Sequence, residues 1–169
     1  MATYISHSPA ETAALGEQWG RVAESGLVIG LSGDLGAGKT QFVKGVARGL
    51  GVAARVHSPT FALVNIYTGG RLALFHVDLY RLDTREQIAA AGLEDYLNPA
   101  GVTVIEWAER WFGDVPQGRA RSPLRAATVG GTALLSGRRA EDCAPYLLWV
   151  QIDVLSETER RITYEDPGT

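Results

Sequence analysis

The chain has 169 residues, 46% of them hydrophobic and 21% charged, and a formal net charge of −3. That length suits one domain that buries its core without staples, and the charge supplies no global basic field for unaided nucleic-acid binding. The single cysteine, Cys143, excludes an intrachain disulfide and most cysteine metal sites, and it fits a reducing compartment.

In chain order, residues 2–6 suit a short strand. Ser8-Pro9-Ala10-Glu11 opens a helix, with Ser8 as N-cap, Pro9 at the first helical position and Glu11 completing a capping box. Leu15, Trp19 and Val22 fall on one helical face, and Gly26 stands where the helix can end. Leu27–Leu31 is almost wholly apolar, the mark of a strand covered on both sides. A glycine-rich loop follows, then a helix from about Lys39 to Leu50 with Phe42, Val46 and Leu50 aligned. Phe61–Tyr67 and Arg71–Asp78 read as a hairpin about Thr68-Gly69-Gly70. Asp83 with Glu86 suggests another capping box before a short helix stopped by Gly92. Leu93–Leu97 suits one more turn, and Val102–Ile105 a short buried strand.

From about Gly113 to Ala144 periodicity is weak, and the stretch carries Arg119, Arg121, Arg125, Arg138 and Arg139. It reads as a long insertion or lid, with only 126–135 resembling ordered structure. Tyr146–Leu155 and Arg160–Glu165 then suit a C-terminal hairpin. The opening MATYISHSPAETAALG lacks a basic n-region and a long apolar core, and no run approaches the ~20 apolar residues of a membrane span. The expectation is a cytoplasmic chain with no membrane partner.

Gly33-Asp34-Leu35-Gly36-Ala37-Gly38-Lys39-Thr40 matches G-x-x-x-x-G-K-[ST] between an apolar strand and an amphipathic helix, the context a phosphate loop requires. Its glycines let the backbone approach an anion, and the loop amides and helix N-terminus point at it. Lys39 is expected on the β- and γ-phosphates and the Thr40 hydroxyl on Mg²⁺. Two acids close strands, Asp78 after Leu74–Val77 and Glu106 after Val102–Ile105. Each is placed to hold Mg²⁺ or to position the attacking water, since ligands collect at the carboxyl ends of such strands. The plainer alternative is an ordinary exposed acid at a strand end.

His57-Ser58-Pro59-Thr60-Phe61 reads either as a switch loop sensing the γ-phosphate or as a plain turn. His57 and His76 have no metal-like companions, and neither reads as a ligand. An Asn-Lys-x-Asp guanine reader is missing, so adenine is the expected base. A small-metabolite kinase with an arginine-rich lid remains the alternative reading.

Six blocks then fall in one order: GDLGAGKT, SPTF, LVNIY, FHVDLYRL, AGLEDYL and VIEWAER. Together they closely resemble the TsaE family, the ATPases of bacterial tRNA threonylcarbamoyladenosine biosynthesis, over about residues 3–112 and again at 146–165. The resemblance implies a single P-loop NTPase domain over residues 1–169: an α/β fold with a mixed, largely parallel sheet flanked by helices, a C-terminal hairpin and a probable insertion at about 117–145. It implies slow, Mg²⁺-dependent ATP hydrolysis that resets a transferase complex of TsaD-type and TsaB-type partners. That complex modifies adenosine 37 of tRNAs reading ANN codons, so tRNA is met only indirectly. Carried onto this chain, Gly33, Asp34, Leu35, Gly36, Ala37, Gly38, Lys39, Thr40 and Gln41 bind ATP. Thr40 and Glu106 hold Mg²⁺, Asp78 with Lys39 and Glu106 serves hydrolysis, and Ser58, Thr60 and Trp107 form the switch. Ser8 and Arg160 lie where family members touch nucleotide from the chain ends. The chain departs from the family pattern at Gln41, where a second Thr is usual, and in its insertion.

Overall fold

The computed structural model describes residues 2–97, 99–113 and 146–164. The expected insertion at about 117–145, with its ordered stretch at 126–135, lies outside the described residues. Among those described, seven strands form one sheet: β1 (Ala2–Ser6), β2 (Leu27–Ser32), β3 (Val64–Tyr67), β4 (Ala73–Asp78), β5 (Gly101–Glu106), β6 (Tyr146–Val154) and β7 (Arg160–Tyr164). Their order is β1-β7-β6-β2-β5-β4-β3. The central run β6-β2-β5-β4 is parallel, and antiparallel pairings add β7 and β1 on one side and β3 on the other. Every residue of β2 and β5 is buried, as a doubly covered parallel strand demands.

The covering helices are α1 (Pro9–Val22), α2 (Lys39–Gly49), α3 (Arg85–Ala90) and α4 (Glu109–Phe112), with a 3₁₀ turn at Leu93–Leu97. Side chains alternate along β2, so Ile29 and Leu31 join one apolar cluster while Val28 joins the other. The first cluster packs Trp19, Phe42, Val46 and Leu50 from α1, α2 and the α2 C-cap. Trp19 meets Phe42 and Tyr164 edge-on, each at 5.5 Å between centroids, so one indole ties α1 to both α2 and β7.

The α1–α2 contact is backbone against backbone. A methyl on Gly16 would overlap the carbonyl oxygen of Phe42, and one on Gly20 that of Val46. Reciprocally, methyls on Gly45 and Gly49 would overlap the carbonyl oxygens of Ala13 and Glu17. Glycines four apart on each helix thus share a face and interlock. This explains one departure from expectation: Val22 does not join the buried face but is 66% exposed, because the glycine stripe turns the helix onto Thr12, Ala13, Leu15, Gly16, Trp19 and Gly20.

Other boundaries shift for local reasons. β3 starts at Val64 rather than Phe61, because Leu63 takes a φ of 65° and its N–H turns back to the Pro59 carbonyl at 2.7 Å. β4 starts at Ala73 rather than Arg71, because the Arg71 N–H is spent on the Leu50 carbonyl at 2.8 Å. The Arg71 guanidinium also caps the end of α1 through the carbonyls of Gly20 and Ala23. The α3 cap is Thr84 with Gln87, one residue later than Asp83 with Glu86, since the Asp83 carboxylate is taken by Arg110 at 2.7 Å. The Ser8 cap holds, but Glu11 reaches the His7 N–H rather than that of Ser8.

The glycine seam generates a test. Alanine favours an α-helix over glycine by ~1 kcal/mol, whereas overpacking costs ~1–3 kcal/mol. Gly45→Ala is expected to destabilise the chain by up to about 2 kcal/mol net in urea denaturation, because rigid backbone and not a pliable side chain stands in the way. A variant more stable than the parent would show that the helices separate freely.

Candidate functional site

β2 delivers the chain to the loop, and α2 begins at Lys39. Gly38 is the helix N-cap at a φ of 109°, with no side chain capping the first turn. The first amides of α2 therefore face an open position suited to an anion. Gly33, at a φ of 136°, lies so close to β6 that a methyl would overlap the Ile152 carbonyl oxygen. The Lys39 ammonium folds back into the loop, donating to the carbonyls of Gly33 (2.6 Å) and Asp34 (2.9 Å). It also stands 3.6 Å from the centroid of the Trp107 ring. Burial pushes this ammonium below the usual lysine range, against the raising pull of Glu106, Glu109, Asp78 and Asp34. It is a desolvated cation whose charge favours an incoming anion.

Parallel register brings the two acids together. Asp78 pairs with Glu106 across β4 and β5, and Glu106 pairs with Leu31 across β5 and β2. Both are almost fully buried, and neither is the exposed acid of the plainer reading. Their partners differ. Glu106 Oε1 accepts from Thr40 Oγ1 at 2.9 Å and lies 2.8 Å from His76 Nε2. Asp78 Oδ2 accepts from Ser58 Oγ at 2.6 Å and Thr60 Oγ1 at 2.7 Å, while its Oδ1 accepts from the Tyr80 N–H at 2.9 Å. Thr40 is thus bonded to Glu106, and the SPTF loop to Asp78.

Trp107 has a φ of 61°, an uncommon left-handed conformation for a bulky residue that costs ~1–2 kcal/mol. What holds it is visible: its ring packs on Tyr80 at 5.3 Å and on the Arg110 guanidinium at 5.4 Å, besides Lys39. Arg110 is itself fixed by the carbonyls of Tyr80 and Leu82 and by Asp83.

These groups surround a cavity of about 490 Å³. The loop lines it from Leu35 to Gln41, the SPTF segment through Ser58 and Thr60, and the strand ends through Asp78, Tyr80, Glu106 and Trp107. Ser8, Pro9 and Thr12 from the start of α1, and Glu157, Thr158 and Arg160 from the β6–β7 turn, complete the wall. Gly33 and Asp34 lie behind it and present their carbonyls to Lys39. Arg160 braces the loop by donating to the Ala37 carbonyl at 3.2 Å and to the turn carbonyls of Ser156 and Glu159. Sequence reasoning missed Pro9, Thr12, Tyr80, Glu157 and Thr158 as lining residues, and His76 as a neighbour of Glu106. For His76 a signal existed, since His-x-Asp on a strand puts both side chains on one face.

Among the described residues no cluster of three or more His, Cys, Asp or Glu could hold a metal by itself. The Thr40 hydroxyl and Glu106 carboxylate, 2.9 Å apart, are hard oxygen donors. That set fits Mg²⁺, which takes one or two protein oxygens together with phosphates and waters. No helix among the described residues is long and apolar enough to cross a membrane.

The chain is similar to known proteins. The family model described as threonylcarbamoyl adenosine biosynthesis protein TsaE matches residues 6–129. The tRNA threonylcarbamoyladenosine biosynthesis protein TsaE of Treponema pallidum is 43% identical over 126 residues, spanning 75% of this chain and 93% of the relative. That of Bacillus subtilis is 40% identical over 120 residues, spanning 71% and 75%. The crystal structure of Bacillus subtilis YdiB superposes with a TM-score of 0.67 at 30% identity, covering 99% of this chain and 86% of that one.

The hydroxyl pair on Asp78 also sets an expectation. A hydrogen bond to a charged group contributes ~1.5–3 kcal/mol, so losing one is worth roughly tenfold or more in a local opening equilibrium. Ser58→Ala or Thr60→Ala is expected to speed amide hydrogen exchange across residues 57–63 by about that factor, and the double variant further. Unchanged exchange in the double variant would mean that the loop is held by its backbone alone.

Proposed function

The chain belongs to the TsaE family, and from that premise we propose that it is an ATP-hydrolysing switch of tRNA threonylcarbamoyladenosine biosynthesis. The observation that carries this reading is the convergence on one cavity of Lys39, the Thr40–Glu106 pair and an Asp78 that grips the SPTF loop. The loop amides and Lys39 bind the phosphates, and the Lys39 charge, held by loop carbonyls and an indole face, stabilises negative charge that develops on them. Thr40 and Glu106 hold Mg²⁺, which when bound neutralises charge on the phosphate oxygens.

The bonding pattern supports the division of labour that the family resemblance implies and that the residues alone left open. Glu106, joined to Thr40, is the metal-side acid. Asp78, joined to Ser58 and Thr60, is the acid of hydrolysis and the link to the switch. With both hydroxyls on its Oδ2, Asp78 is occupied, and freeing it moves the loop. Phe61, 87% exposed in that loop with Arg81 4.8 Å from its ring centroid, carries the movement to the surface. The partners proposed to read it are the TsaD-type and TsaB-type proteins, with tRNA met through them. Slow intrinsic turnover fits a switch that dwells in its ATP state until its partners engage.

A small-metabolite kinase is the other reading, but its lid arginines, Arg119–Arg139, lie outside the described residues. Family membership favours the switch, and free phosphate rather than a phosphorylated acceptor is the product expected.

Hydrolysis measured with and without the TsaD-type and TsaB-type pair tests the proposal. Slow turnover alone and acceleration by the pair are expected, while brisk turnover indifferent to partners argues against a switch. Lys39→Ala and Glu106→Ala are each expected to lower turnover on the order of 10²-fold or more. An active Glu106→Ala protein would remove that residue from its role.

A further inference from the structure

His76 is a buried titratable group that the proposed reaction does not use. It sits in the middle of β4 with no solvent exposure. In the sheet register it pairs with Val104, so Glu106 is its diagonal neighbour two residues on, within reach of a long side chain. Its Nε2 lies 2.8 Å from Glu106 Oε1, the same oxygen that accepts from Thr40. Its Nδ1 is buried and has no hydrogen-bond partner among the described residues. A proton on Nδ1 would leave a buried donor unsatisfied and set two lone pairs against each other at Glu106. Of the two neutral tautomers, the one that carries its proton on Nε2 is the one that can donate to the carboxylate. An apolar side chain would fill this strand position without an orphaned nitrogen, so packing alone does not account for a histidine here.

We propose that His76 is a positioning residue. By donating Nε2–H to Glu106 Oε1 it fixes the rotamer of that carboxylate behind Thr40, so that Glu106 meets Mg²⁺ already oriented. This rests on the ATP–Mg²⁺ reading given above. It follows the general behaviour of groups that hold a metal ligand from behind, whose loss typically lowers metal affinity ~10–100-fold.

The test compares the wild-type chain with His76→Gln, whose amide reaches the level of Nε2, and His76→Asn, whose amide stops short at the level of Nδ1. Mn²⁺ binding to each protein in the presence of ATP is followed by electron paramagnetic resonance, and ATP affinity is measured separately in EDTA. In His76→Asn the Mn²⁺ concentration at half-saturation is expected to rise about tenfold or more, with metal-free ATP affinity unchanged. His76→Gln is expected to recover most of that loss. Wild-type Mn²⁺ binding in His76→Asn would overturn the proposal, and so would equal losses in both variants, which would mark a packing residue. Nitrogen-15 imidazole spectra of the wild-type chain give a readout independent of any variant's folding: a proton on Nε2 is expected, and an Nε2 without one overturns the proposal. If wild-type ATP binding gains nothing from Mn²⁺ or Mg²⁺, the metal reading itself fails and takes this inference with it.

Discussion

The pairing of β2, β5 and β4 is the constraint on which the site depends. Parallel strands in this register finish side by side, so Leu31, Glu106 and Asp78 lie in one row. From that row the phosphate loop leaves in one direction, while Trp107 and Tyr80 leave in others. A slip of one residue in β5 would turn Glu106 to the opposite face of the sheet and strip Thr40 and His76 of their common acceptor. The positions of the two carboxylates are set by the backbone pairing of buried strands, which continues up to Asp78 and Glu106 themselves.

Around that row each charged group is held by a different kind of partner. Lys39 has carbonyl oxygens and an aromatic face, Glu106 has a hydroxyl and an imidazole, and Asp78 has two hydroxyls and an amide. Against Lys39 stands Trp107, whose left-handed backbone is held by Tyr80 and Arg110. Local strain retained where a side chain must point into a cavity is characteristic of functional positions.

Much of this was legible in the sequence, and the reasons for the rest are physical. The phosphate loop and the two strand-end acids could be read because their chemistry is local: residue type and a neighbouring apolar run suffice. The strand–helix order followed from periodicity, and the ends of β2, α2 and β5 came close to expectation. Boundaries failed where a distant group captured a local one, as when Arg110 took Asp83 from the α3 cap or Leu50 took the Arg71 amide from β4. The Val22 error has a further source. A hydrophobic-periodicity argument counts large side chains, and α1 is oriented by glycines that contribute nothing to such a count. The pairings of Ser58 and Thr60 with Asp78 span 20 and 18 residues of sequence and left no local mark, whereas the His-x-Asp alternation put His76 on the acid's face without naming Glu106 as its partner.

The glycine seam between α1 and α2 has a consequence for how force is distributed around the cavity. Interlocked backbones cannot slide, because a carbonyl would meet a Cα within a fraction of an ångström. The wall carrying Ser8 and Thr12 and the wall carrying Lys39 and Thr40 therefore behave as a single jaw. The opposite wall, from Ser58 to Leu63, is held by two hydroxyls on Asp78, by a tight turn from Leu63 to Pro59 and by the Asp78 N–H on the Leu63 carbonyl. The two helices thus bear on the cavity as one packed unit, whereas the Ser58–Leu63 segment bears on it separately, through Asp78.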